Sequence, residues 1–94
     1  MTQTWRPNLL LVLSTQEQVD SAKEIVCKKF RRATAKCAQV DQKFVIGFNI
    51  EQSFNILFAR NAIPEYEECY VNQGYFEHNT NKHVAELLEA LSGD

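Results

Sequence analysis

Residues 9–13 read Leu-Leu-Leu-Val-Leu, the longest uninterrupted apolar run in the chain. A helix that crosses a bilayer needs roughly 20 apolar residues, so this run cannot span one. A strand turns successive side chains to opposite faces, and a strand over residues 8–13 would be apolar on both. Such a strand belongs inside a sheet that is covered on each side. The chain has 94 residues, a length that closes one core rather than two, burying roughly 60 to 65% of the unfolded surface.

A helix start follows at once. Ser14-Thr-Gln-Glu17 has the form of a capping box, in which Ser14 accepts from the Glu17 amide and Glu17 reaches back. Val19, Ala22, Val26, Phe30, Ala33 and Cys37 then recur at steps of three and four, one stripe along a helix. On the far side Lys28, Arg31, Arg32 and Lys36 fall together, a cationic face suited to the negative end of the helix dipole. Phe44, Ile46 and Phe48 alternate with Val45, Gly47 and Asn49, which predicts a strand from near Val40.

Residues 53–60 carry two patterns. Phe54, Ile56 and Phe58 alternate as in a strand, while Ile50, Phe54, Leu57 and Phe58 fit a helix capped by Asn49. The strand is the preferred reading, paired with its predecessor in a hairpin through residues 50–53. After Pro64, residues 68–76 predict a fourth, edge strand. The chain closes with a second helix capped by Asn79 or Thr80, striped by Val84, Leu87, Leu88 and Leu91 and ended by Gly93. With no repeat and no linker, residues 1–94 form a single small α+β domain after an irregular lead-in at residues 1–7. Its expected order is β-α-β-β-β-α, a three- or four-stranded, mainly antiparallel sheet with two helices.

Three cysteines, Cys27, Cys37 and Cys69, make an odd set without tight spacing. This argues against a disulfide framework and for a reducing, cytoplasmic setting, and Met1 to Thr15 does not resemble a secretory signal. Cys27 and Cys37 read as buried thiols on the apolar side of the first helix. The net charge of −2 hides an asymmetry: residues 1–50 hold eight Lys/Arg against four Asp/Glu (+4), and residues 51–94 hold two against eight (−6). Such a chain is suited to charge-steered association if the halves stay apart in space.

Motifs for chemistry are sparse. Cys69, His78 and His83 lack the paired spacing of zinc ligands, and Cys69 beside His78 or His83 has no orienting third group. Glu65, Glu67 and Glu68 form a run without apolar shelter, a poor setting for proton donation near neutral pH. There is no glycine-rich phosphate loop. No enzymatic activity, metal or cofactor is expected from this inventory.

Binding is therefore the leading expectation. Trp5, Tyr66, Tyr70 and Tyr75 are amphipathic aromatics of the kind that anchor interfaces. The sequence predicts a non-enzymatic domain that docks on another protein as a regulator, inhibitor or antagonist, with a homo-oligomer such as a homodimer as a further expectation and without a membrane. Its contact residues would come from Lys28, Arg31, Arg32, Lys36, Glu65, Glu67, Glu68, Tyr66 and Tyr70. In one version Glu65, Glu67, Glu68 and Glu77 mimic a nucleic acid. The alternative is a nucleic-acid-binding protein that uses the basic face of the first helix, against which stands a sequence pI near 5.6.

Overall fold

The computed structural model describes residues 5–51, 53–63, 65–72, 76 and 81–92. Its elements run β1 (Leu9–Leu13), α1 (Gln16–Lys29), β2 (Thr34–Val40), β3 (Lys43–Asn49), α2 (Ser53–Ala62), β4 (Glu68–Val71) and α3 (Lys82–Ser92). The four strands form one antiparallel sheet in the order β2-β3-β1-β4. The α+β class and the antiparallel sheet agree with the sequence, and β1 is an interior strand, buried at all five positions.

The chain length alone points to one core, but the two faces of β1 feed two, one on each side of the sheet. Leu9, Leu11 and Leu13 join Ile46 and Phe48 beneath α1 and α2, which contribute Val19, Ala22, Val26, Ile56 and Ala59, with Ile63 just beyond. Leu10, Val12 and Val45 lie under α3, which contributes Val84, Leu87 and Leu91. Gly47 permits this second layer to close: a Cβ there would stand 2.7 Å from Leu91 Cδ1 and 3.2 Å from Leu10 Cδ2 and Pro7 Cβ. Asn8, at the head of β1, is buried and spends its amide on Ile50: Nδ2 donates to the carbonyl at 2.6 Å, and the Ile50 amide donates to Oδ1 at 3.0 Å.

Four local expectations are corrected. The capping box sits one residue later than read: Thr15 Oγ1 accepts from the Gln18 amide at 3.2 Å, and Gln18 Oε1 accepts from the Thr15 amide at 3.1 Å. The helix ends at Lys29, because Phe30 turns extended (φ −117°, ψ 93°), and the supposed continuation of the stripe becomes β2. Residues 53–60 are helix, not strand: Ile56, Ala59 and Ile63 reach the core at helical spacing, so the hairpin partner of β3 is β2, through the turn at Asp41 and Gln42. The β3 strand accordingly starts at Lys43, and the observed order is β-α-β-β-α-β-α with three helices.

Toward the C-terminus, β4 stops at Val71, short of the expected Phe76. The expected caps Asn79 and Thr80 and the terminator Gly93 lie outside the described residues. Asn81 caps α3, its Oδ1 accepting from the amides of His83 at 2.9 Å and Val84 at 3.3 Å. No helix among the described residues is long and apolar enough to cross a membrane.

Candidate functional site

Two regions concentrate polar and exposed apolar groups. The first stands where β4, α3 and the β2–β3 turn meet. Glu67, just before β4, and Glu68, its first residue, take different hydrogen-bond partners. Glu67 accepts from Ser14 Oγ at 2.5 Å and pairs with Lys43 Nζ at 2.9 Å. Glu68 Oε1 accepts from Tyr70 Oη at 2.5 Å and lies 2.7 Å from His83 Nε2, which must carry a hydrogen to make that bond. Donation from Ser14, then from Lys43, holds the Glu67 carboxyl below the ordinary range. Donation from Tyr70, ahead of His83, does the same for Glu68 and raises the Tyr70 phenol in turn. A groove of about 570 Å³ opens beside this cluster, lined by Val40, Lys43, Val45, Glu68, His83 and Leu87. Both glutamates thus have donors at hydrogen-bonding range.

The acidic run is therefore divided. Glu65 is exposed with a left-handed backbone (φ 55°), and its carbonyl accepts from Gln18 Nε2 at 3.4 Å. Tyr66 is half-buried against the α1–α2 layer, with Arg60 Nε donating to its hydroxyl at 3.4 Å. Glu77, His78 and Tyr75 lie outside the described residues. Cys69 packs with the α1–α2 layer while His83 stands beside Glu68 on the α3 side, so the sheet separates them as a nucleophile and base. Burial raises the Cys69 thiol pKa, which disfavours the thiolate. Among the described residues no three Cys, His, Asp or Glu side chains gather in a set that could hold a metal ion.

The second region is the end of α1, the following turn and the outer face of α2. The four cations read as one helical face are distributed over three elements. Lys28 lies in the last turn of α1, Arg31 and Arg32 in the turn, and Lys36 on β2, its amine 5.2 Å from the centre of the Trp5 ring. Trp5 itself donates to Thr34 Oγ1 at 2.9 Å and packs on the α3 side. Cys27 is half-buried, whereas Cys37, expected in the core, is exposed on β2.

Sequence reasoning missed what α2 adds to these cations. Leu57 is 51% and Phe58 59% exposed, the large hydrophobic side chains most open to water among the described residues. Lys29 Nζ lies 5.1 Å from the centre of the Phe58 ring. Lys29, Arg31 and Arg32 also line a groove of about 450 Å³ that Ile50, Glu51 and Asn55 close from the other side. Arg32 reaches Glu51 at 3.5 Å in an open ion pair, which contributes little and can exchange for another carboxylate. The available signal was compositional: residues 53–63 hold more large apolar side chains than one helical stripe can bury. Comparison with protein-family models, with curated proteins and with solved structures returns no match.

Proposed function

We propose that this protein is a docking module that binds an acidic, amphipathic segment of a partner protein and regulates or antagonises that partner by occupying the segment. The observation that carries the reading is the pair Leu57 and Phe58, more than half exposed on α2, with the Lys29 amine 5.1 Å from the Phe58 ring and Lys29, Arg31 and Arg32 lining the groove that Asn55 of the same helix helps to close. Water-exposed aromatic and aliphatic side chains next to a basic rim match the anchors and charge frame by which grooves receive partner helices. Carboxylates on the segment would meet the cations, and its apolar stripe would cover Leu57 and Phe58. The acidic-mimic version is less well supported, because Glu67 and Glu68 are held by Lys43, Ser14, Tyr70 and His83.

Fluorescence anisotropy with two synthetic helical peptides tests this reading. Both carry the same leucine stripe, and the remaining positions are glutamate in one and lysine in the other. The glutamate peptide should bind, weaken as salt rises, and lose at least about tenfold in affinity against the double variant Leu57→Gln with Phe58→Gln. Equal binding of the two peptides, no binding, or indifference to the double variant would overturn the proposal. Binding of an oligonucleotide that ignores the double variant but fails with Lys28→Glu and Arg32→Glu would favour nucleic acid instead.

A further inference from the structure

β2 lies at the edge of the sheet and has seven residues, against four for the opposite edge strand β4. Val40 and Lys43 flank the two-residue turn, with Asp41 at φ 58°, so this pair exchanges both of its backbone hydrogen bonds. The pattern alternates along the ladder. Thr34, Lys36, Ala38 and Val40 turn their N–H and C=O groups to β3, and Ala35, Cys37 and Gln39 turn theirs away. No described strand pairs on that side. The strand has no proline, and its single charge, Lys36, stands with its amine 5.2 Å from the Trp5 ring.

We infer that β2 pairs antiparallel with β2 of a second copy, with the two-fold axis at Cys37. Hydrogen-bonded pairs between the copies form only from outward-turned residues, and the outward set 35, 37 and 39 is symmetric about its middle member. In this register Cys37 faces Cys37 of the second copy and Ala35 faces Gln39. The result is about six backbone hydrogen bonds in an eight-stranded sheet. Centring the axis at Lys36 instead would set two ammonium groups against each other, whereas at Cys37 each Lys36 meets an Ala38.

Charge is compatible with the same register. The pairing carries Ala33 opposite Asp41 of the second copy, so Arg32, the neighbour of Ala33, arrives near that exposed carboxylate, while Arg31 comes toward Lys43. Symmetry makes the contact twice. A second copy of this chain therefore supplies the complementary groups, and the pairing is independent of the Leu57–Phe58 surface.

Analytical ultracentrifugation of the full chain under reducing conditions tests the inference. The wild type should sediment at twice its 10.8 kDa monomer mass. Cys37→Lys and Cys37→Glu each place like charges across the axis, and each should raise the dissociation constant at least about tenfold. Position 37 is exposed, and unchanged circular dichroism will confirm that the variants fold. An equimolar mixture of the two should recover the dimer, because lysine then faces glutamate. A wild type that remains monomeric at about 100 μM, weaker than most specific interfaces, would overturn the inference. So would a dimer that tolerates Cys37→Lys, a mixture no better than its components, or a dimer lost in Leu57→Gln with Phe58→Gln.

Discussion

α2 and α3 cover opposite faces of one sheet and anchor in the same way. Ile56, Ala59 and Ile63 are spaced by three and four, as are Val84, Leu87 and Leu91, and all six are buried. What the helices turn outward differs: α3 presents Glu86 and Glu89 to water, and α2 presents Leu57 and Phe58. Three anchors are enough to seat a helix of this length, so the outward pair on α2 is surplus to the fold. Apolar area that the fold leaves uncovered is area available to a partner.

The comparison can be broken most forcefully at its anchors. Ile56→Ala opens a cavity in the larger core, closed over by two helices, and should cost about 3 to 4 kcal/mol in urea unfolding. Leu87→Ala should cost less, about 2 to 3 kcal/mol, because Leu87 also borders the groove beside His83, where water can fill the space. Equal losses, or the reverse order, would show that the two layers are sealed alike.

Acid should loosen α3 selectively. Glu68, which links β4 to His83 on α3, has a folded pKa below its ordinary 4.5, so the stability it contributes is present above that pH and is lost as pH falls through the lowered value. Melting temperature measured from pH 6 to pH 3 should therefore fall less steeply in Glu68→Gln than in the wild type. Parallel curves would show that this carboxylate is not a tether. The smallest effect belongs to Leu57→Gln with Phe58→Gln, whose stability should stay within about 0.5 kcal/mol of wild type. A larger loss would mean that the pair supports the fold and is not spare.

The parts of this architecture that the sequence displays are those where burial and periodicity agree. β1 is buried on both faces, and an apolar run can announce that. Val19, Ala22 and Val26 mark the inner side of α1 without ambiguity. The end of α1 was hidden because Phe30, Ala33 and Cys37 prolong the helical spacing by coincidence. β2 itself, Thr-Ala-Lys-Cys-Ala-Gln-Val, is poor in strand formers and is held by pairing with β3. In residues 53–63 both periodicities were present, and the helical stripe considered, through Leu57 and Phe58, was the outward face; the inner one is Ile56, Ala59 and Ile63. The basic residues were legible as a cluster, but their arrangement depends on a chain reversal after Lys29. The contact between Glu68 and His83 spans fifteen positions and has no sequence signature at all.

Asn8 has a reach well beyond its own position. Its side chain imitates a peptide group, giving one hydrogen and taking another from Ile50 just where the chain leaves the sheet for α2. An aspartate of equal size would offer two acceptors to a carbonyl that needs a donor, so the site discriminates between near-identical shapes by the direction of a single proton. The latch therefore fixes the point from which α2 departs, and with it the direction in which Leu57 and Phe58 are held out to whatever they meet.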